Sequence, residues 1–488
     1  MTLNHLILTI VLLPVLGFII SLRLKKQPNI REGLNLGIAI LNFLLSLVAY
    51  NKFANGEVAY FQIIVVNSYL YLGFYSEKIT MIFAVMVNFL WIISMVYTIG
   101  YMRGNNEKHQ GRFFAFYCLS IAFTLGVAFS SNLLTTFLFY ESLTLATFPL
   151  VAHKINAESR HNVKVYLSIL IGTSLVLFLP AIIITLIYLG SLDYTLGGLF
   201  IRQENINIYM VFLLLFMFTF GVAKTGIMPV HKWLPAAMVA PTPVSALLHA
   251  VAVVKSGVFV FIKIIIYIFG IDYLSAFIHM MFSVNWLLVI PCITIILASL
   301  VALYQDNLKK MLAYSTIAQL SYMVLGVLLL SNAGIISSVF NILAHAFAKI
   351  TLFFAAGSIY VIAHKDKISQ LSGIGRKMPI TMVAFSIAAL SMIGFPLTGG
   401  FIGKWFLLEG IWESQQSWVV FVIIISTVLN ALYFLPVIFK AFFEKYPTEP
   451  NEHALKKSLP MDIAMTMTAI CVLMLFILSD SFINILTK

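Results

Sequence analysis

Fourteen stretches, most of about twenty apolar residues, follow one another along the chain, and this pattern constrains the fold more than any other feature. They lie near residues 3–22, 33–51, 79–99, 113–130, 132–152, 163–189, 208–238, 242–267, 279–304, 311–331, 335–363, 380–411, 417–443 and 461–485. A helix needs about twenty apolar residues to cross a hydrocarbon core about 30 Å thick. The composition agrees: 61% of the 488 residues are apolar or aromatic and 10% are charged, against about 25% charged in a soluble domain. The expected fold is an all-α polytopic membrane protein of about 14 transmembrane helices. A soluble enzyme, a disordered chain and a nucleic-acid binder are excluded. The first stretch has no basic segment before it, so it reads as a span and not as a cleaved leader. The residues between the second and third spans include β-branched and aromatic positions from Tyr60 to Tyr75, and a small extramembrane hairpin is expected there.

The net charge of +12 resolves into topology. With the N-terminus outside, 21 Lys and Arg residues, Arg31 among them, fall in inside loops and four, Lys52, Lys78, Arg202 and Lys488, fall outside. Lys and Arg concentrate on the cytoplasmic side. The expected placement is a bacterial-type inner membrane, with both termini on the outer side. Lys263 is expected near a helix end. Cys118, Cys292 and Cys471 each stand alone in an apolar run. They offer no CxxC or Cys/His spacing for a disulfide framework, an iron–sulfur cluster or covalent haem. No cofactor or metal is expected.

Lys224, Lys255, Lys349 and Lys404 lie inside apolar helices, and Glu141 is the acidic residue near the centre of a span. A charge there costs about 2.5–3.5 kcal/mol on insertion scales and marks ion or proton pathways. His345 and Lys349 stand four apart and share a helix face. His249 and Lys255 stand six apart and share a face only if the helix bulges. Two stretches are interrupted, by Lys224-Thr-Gly-Ile-Met-Pro229 and by Gly394-Phe-Pro-Leu-Thr-Gly-Gly400. Paired broken helices in two halves of a chain point to a transporter with an internal inverted repeat. A structural ion pair is the competing reading for Glu141 and the lysines, and a bond to a neighbouring helix for the histidines. Pro241 and Pro243 read as a helix-start device.

The same segments resemble a known family. Phe139-Tyr-Glu-Ser-Leu143 resembles the fifth-helix glutamate segment of antiporter-like subunits. These are shared by respiratory complex I, Mrp-type cation/proton antiporters and membrane-bound hydrogenases. Ala223-Lys-Thr-Gly-Ile-Met-Pro-Val-His-Lys-Trp-Leu-Pro235 and Ala240-Pro-Thr-Pro-Val-Ser-Ala-Leu-Leu-His249 are similar to the family's most diagnostic stretch. Asn307-Leu-Lys-Lys-Met-Leu-Ala-Tyr-Ser-Thr-Ile-Ala-Gln319, His345-Ala-Phe-Ala-Lys349, Gly373-Ile-Gly-Arg-Lys-Met-Pro379 and Gly394-Phe-Pro-Leu-Thr-Gly-Gly-Phe-Ile-Gly-Lys404 also fit.

The resemblance implies two inverted five-helix repeats with broken helices 7 and 12. The implied boundaries are helices 1–3 in 1–112, the repeats in 113–268 and 269–445, and helix 14 in 446–488. It implies that Glu141 pairs with Lys224, and that the proton path continues through His249, Lys255, His345 and Lys349 to Lys404. It implies a transporter subunit within a hetero-oligomeric complex, acting on protons and monovalent cations. Phe401-Ile-Gly-Lys404 looks like the D-type member of the Mrp antiporters, whereas the M-type complex I member has Glu at that position. The complex I member with a lateral helix and the large A-type Mrp member are longer than this chain. His249 together with Lys255 departs from the D-type pattern. A proton-pumping subunit of complex I or a hydrogenase remains the alternative, and an unrelated membrane enzyme such as a lipid-linked transferase is the third.

Overall fold

A computed structural model describes residues 2–67, 69–154, 157–202, 207–247, 251–281, 285–446 and 458–487. The helices are α1 (Leu3–Arg23), α2 (Pro28–Ala54), α3 (Lys78–Gly104), α4 (Gln110–Phe129), α5 (Leu133–Val151), α6 (Ala157–Thr173) and α7 (Leu179–Leu189). Next come α8 (Ile208–Gly221), α9 (Trp233–Ala236), α10 (Thr242–Ala246), α11 (Val253–Lys263), α12 (Ile271–Met281), α13 (Val289–Leu303) and α14 (Leu308–Leu328). The last are α15 (Asn332–Ala363), α16 (Ile374–Lys377), α17 (Pro379–Ile393), α18 (Gly399–Glu413), α19 (Val419–Phe443), α20 (Leu459–Ile477) and α21 (Ser479–Thr487).

The chain is a multi-span, all-α membrane protein. The count of fourteen crossings is not reached by length and composition. Among the described residues, eleven helical spans are long and apolar enough to cross a bilayer. A twelfth is a pair, Val253–Phe269 and Ile271–Ile278, bent by 77° at Gly270, whose φ is +83°. The two remaining stretches fold as shorter helices, α8 and α17, each followed by a break. Those breaks stand where proline and glycine foretell them. Proline removes a helical hydrogen bond, and Gly226 and Gly394 adopt φ of +72° and +90°, which only glycine enters without strain. The bend at Gly270 falls in what the sequence pattern presents as a gap between two spans.

Polar caps start some of the helices. Asn132 accepts from Thr135 N (2.8 Å) at α5, and Asn307 from Lys310 N (3.1 Å) at α14. Ser331 accepts from Gly334 N (3.2 Å) at α15. Each satisfies a main-chain donor that the first turn leaves open. Pro241 and Pro243 do open a helix, α10. The expected hairpin forms as β1 (Tyr60–Val65) and β2 (Tyr71–Tyr75), antiparallel, with Tyr60 opposite Tyr75 and an irregularity between Gln62 and Ile64.

Two compact units emerge. The first comprises Met1–Ile92, His109–Val239 and Ala252–Leu288; the second comprises Ile93–Lys108, Ala240–Val251 and Val289–Lys488. Within the first, Asn42 of α2 bonds Asn88 of α3 (2.9 Å). Two buried ion pairs also lie there, Arg31–Glu32 and Lys263–Glu77. Arg31 is not a loop residue: it lies in the first turn of α2, and its guanidinium covers Phe114, 5.1 Å from the ring centre. Within the second, α15 runs 32 residues without a break and is buried along most of its length. Tyr97 stacks on Phe354 at 3.8 Å and donates to the Phe354 carbonyl (2.8 Å).

Candidate proton-transfer residues

Lys224 sits in the first unit at the break after α8, in a 3₁₀ turn over Ala223–Thr225, and is fully buried. Tyr140 of α5 holds it from three directions. The tyrosine hydroxyl accepts from Lys224 N (3.1 Å), the tyrosine carbonyl accepts from Lys224 Nζ, and Nζ lies 3.2 Å from the ring centre. Trp233 Nε1 donates to the Ala223 carbonyl (2.9 Å), which also accepts from Gly226 N (2.9 Å). Glu141 is the next residue on α5 and is half-buried, beside Ser174. Its carboxylate does not come within 4.0 Å of the Lys224 ammonium, so the implied pair is not a contact ion pair here. One Glu141 oxygen, Oε1, is buried and accepts no hydrogen bond.

Lys255 is fully buried in the first turn of α11. Two residues on, Gly257 brings this helix against the Lys224 turn: a Cβ there would stand 2.5 Å from Lys224 C and 2.6 Å from its Cβ. The structure therefore brings Lys224 and Lys255 onto adjoining segments. His249 lies outside the described residues, as do its immediate neighbours.

The other expected residues lie in the second unit. His345 and Lys349 are buried mid-way along α15, four residues apart as expected. Lys349 Nζ donates to the Leu312 carbonyl of α14 (3.0 Å), which Thr316 Oγ1 also reaches (2.9 Å). Lys404 is on α18, beyond the second break. Its Nζ reaches back to the Ile393 carbonyl (2.7 Å) and to Thr427 Oγ1 of α19 (2.9 Å). Ile393 ends α17, where a helix leaves its carbonyls without partners.

Lys224, Lys349 and Lys404 thus share one device. Each amine donates to a main-chain carbonyl, and among the described residues no carboxylate stands within 4.0 Å of any of them. An ammonium and a neutral amine both carry N–H donors, so a carbonyl satisfies either state. A carboxylate partner would bind the charged state far more tightly. The arrangement suits groups that gain and lose protons.

Lys263 does lie at a helix end, and it is more than a terminal charge. It is buried at the end of α11, 2.6 Å from Glu77, and also donates to the Ser130 carbonyl (2.9 Å). Its amine faces the Tyr194 ring at 4.3 Å, and Thr80 Oγ1 donates to Glu77 (3.0 Å). A lysine and a glutamate at the ends of two apolar runs are the signal for it in the sequence. The polar residues of α19 carry a weaker signal, which the sequence reading passes over. Apart from Lys440, its polar side chains are Ser426, Thr427, Asn430 and Tyr433, spaced for one helical face.

A family described as NADH:quinone oxidoreductase/Mrp antiporter, transmembrane, matches residues 130–430. Subunit L of the NADH-quinone oxidoreductase of Rickettsia felis is 28% identical over 468 residues, spanning 92% of this chain and 70% of that protein. Subunit N from Desulforudis audaxviator is 31% identical over 372 residues, 76% of this chain and 72% of the relative. A chain of the Mrp complex from a Dietzia species superposes with a TM-score of 0.86 at 18% identity, covering 100% of this chain and 96% of that one. A chain of an archaeal membrane-bound sulfane sulfur reductase superposes at 0.84 and 20% identity, covering 99% and 96%. With the family's match covering more than half its length, the chain belongs to the NADH:quinone oxidoreductase/Mrp antiporter family, as a proton-pumping, antiporter-like membrane subunit.

Proposed function

We propose that the chain is the proton-translocating, D-type component of a multisubunit Na+(K+)/H+ antiporter of the Mrp kind. It would work within a hetero-oligomer in a bacterial-type inner membrane, with both termini outside. The observation that carries this reading is the trio of buried lysines held on main-chain carbonyls with no carboxylate in ion-pair distance among the described residues. Glu141 biases Lys224 through space, and the path continues through His249, Lys255, His345 and Lys349 to Lys404. The repeats 113–268 and 269–445 are the two transporting units. A correspondence between the broken helices supports them: Lys224 lies over the Tyr140 ring and Lys404 over the Tyr322 ring, at 3.2 and 5.4 Å. Phe401-Ile-Gly-Lys404 supports the D-type assignment.

The second reading is a proton-pumping subunit of an NADH-quinone oxidoreductase, which the sequence relatives from Rickettsia felis and Desulforudis audaxviator favour. Inverted membrane vesicles carrying the whole complex separate the two. A pH-sensitive dye is followed on adding sodium or potassium chloride to respiring vesicles, with and without Glu141→Ala and Lys224→Ala. Cation-induced collapse of the pH gradient, abolished by both substitutions with assembly intact, supports the antiporter. No cation response, with NADH oxidation lowered in the variants, supports the redox pump. If both activities survive, Glu141 and Lys224 are structural and the proposal fails.

A further inference from the structure

The proposed path leaves open how a proton passes between Lys349 on α15 and Lys404 on α18. Polar groups on α14 and α19, all within the second unit, reach toward each of them. At one end, Lys404 Nζ is 2.9 Å from Thr427 Oγ1. One turn further along α19, Asn430 Oδ1 accepts from the Tyr433 hydroxyl, and Asn430 Nδ2 reaches the Met392 carbonyl (3.5 Å). Gln319 Nε2 bonds that same carbonyl (3.2 Å), next to the Ile393 carbonyl that holds Lys404. The Tyr433 hydroxyl also stands 3.1 Å from Ser315 Oγ on α14. Ser315 is three residues from Leu312, whose carbonyl holds Lys349. Phe434, adjoining Tyr433, faces Lys349 Nζ at 5.8 Å.

Two further observations set this face apart from ordinary helix packing. Ser426, Thr427, Asn430 and Tyr433 are spaced to share one side of a helix that is otherwise apolar up to Lys440, so they form one polar face. Tyr322, 1% exposed, turns a hydroxyl toward Ser426 and Thr427 that makes no hydrogen bond of good geometry. A buried hydroxyl is costly to leave open. One beside a lysine and a threonine has capacity to hold water, which bridges polar groups at little cost.

We propose that Thr427, Tyr433 and Ser315, with water between them, form the proton route between Lys404 and Lys349, and that Asn430 positions the Tyr433 hydroxyl. This rests on the proton-translocating reading above. A proton leaves one ammonium, which becomes a neutral amine. Each hydroxyl along the route takes up one proton and releases its own, ending neutral. The last proton arrives on the neutral amine of the other lysine, reached by a swing of its four-carbon stem.

The test uses the complete complex in inverted vesicles, with dye-reported initial rates per assembled complex in H2O and D2O across a pH series. Tyr433→Phe keeps the ring against Phe434 and removes the hydroxyl. The expected result is a rate lowered about a hundredfold or more, in the range of a lost proton-transfer group, and a larger D2O effect at unchanged assembly. Asn430→Leu is expected to reproduce the altered isotope effect. Lys349→Ala and Lys404→Ala serve as references. If these abolish transport while Tyr433→Phe and Tyr433→Phe/Ser315→Ala keep the wild-type rate and isotope effect, this route is overturned and the proposed function stands. If the lysine variants also transport normally, both are overturned. Should Tyr433→Phe lower the amount of complex, Ser315→Ala and Thr427→Val, close in volume, decide the matter by the same readouts.

Discussion

Removing Lys263 alone should damage the protein far more than removing Lys263 and Glu77 together. The two charged groups meet at 2.6 Å, and their side chains are 3% and 8% exposed. Lys263→Met leaves the Glu77 carboxylate buried against the hydroxyl of Thr80. Glu77→Gln leaves the ammonium on the Ser130 carbonyl and the Tyr194 ring. Breaking a buried pair by removing one partner costs about 3–5 kcal/mol, because an uncompensated charge stays behind, whereas replacing both partners with uncharged groups is close to neutral. At about 2 °C per kcal/mol for a long chain, either single change should lower the apparent melting temperature of the detergent-solubilised complex by about 6–10 °C. Glu77→Gln/Lys263→Met should recover most of that loss. The assay is thermal unfolding of matched samples, supported by the yield of assembled complex. Single variants that melt with the wild type would refute the reasoning, since they would show that water reaches the pair. A double variant worse than either single one would also refute it, because the energies would then add.

Other outcomes follow from the same geometry. Tyr140→Phe keeps the ring under Lys224 but removes the acceptor of Lys224 N; it should cost about 1–3 kcal/mol, seen as lower thermal stability with slower dye-reported transport. Gly257→Ala would put a Cβ 2.5 Å from the Lys224 main chain; it should displace the break and lower transport, while Gly172→Ala, where nothing lies within 4 Å, should leave transport unchanged. Asp306, in the loop before α14, is held below its usual carboxylate range, first by the Ser369 N–H and also by the Ser369 hydroxyl and nearby lysines. A depressed carboxylate contributes stability above its unfolded pKa and loses it as pH falls through the folded one. The protection factor of the Ser369 amide, its exchange measured against the intrinsic rate at each pH, should therefore be high near neutral pH and fall on acidification below the ordinary Asp range, an effect that Asp306→Asn removes.

Much of this architecture is legible in the sequence because the bilayer is a demanding solvent. Main-chain groups in hydrocarbon must be satisfied internally, so long apolar runs can only be helices. Proline and glycine in such runs announce breaks, and both breaks stand where Pro229 and Gly394-Phe-Pro396 foretell them. The hairpin is legible from its β-branched and aromatic residues. The buried lysines stand out because charged residues are rare in the apolar runs around them.

Partnership is not legible. Nothing in the order of residues says that Lys224 rests on Tyr140 and outside contact distance of Glu141, because the two acceptors are neighbours on one helix and the choice depends on where the broken segment turns. Lys263 and Glu77 are far apart along the chain, and their pairing depends on the packing of segments around α3 and α11. Thr427, Asn430 and Tyr433 are individually ordinary in a membrane helix; they gain meaning when α14 and α18 bring Ser315 and Lys404 to the same face. By itself the sequence determined the solvent, the helices, their breaks and the rare buried charges, since those follow from local composition and hydrogen-bond satisfaction. Only the tertiary structure decided which group each charge meets, since that depends on the close approach of segments far apart in the chain.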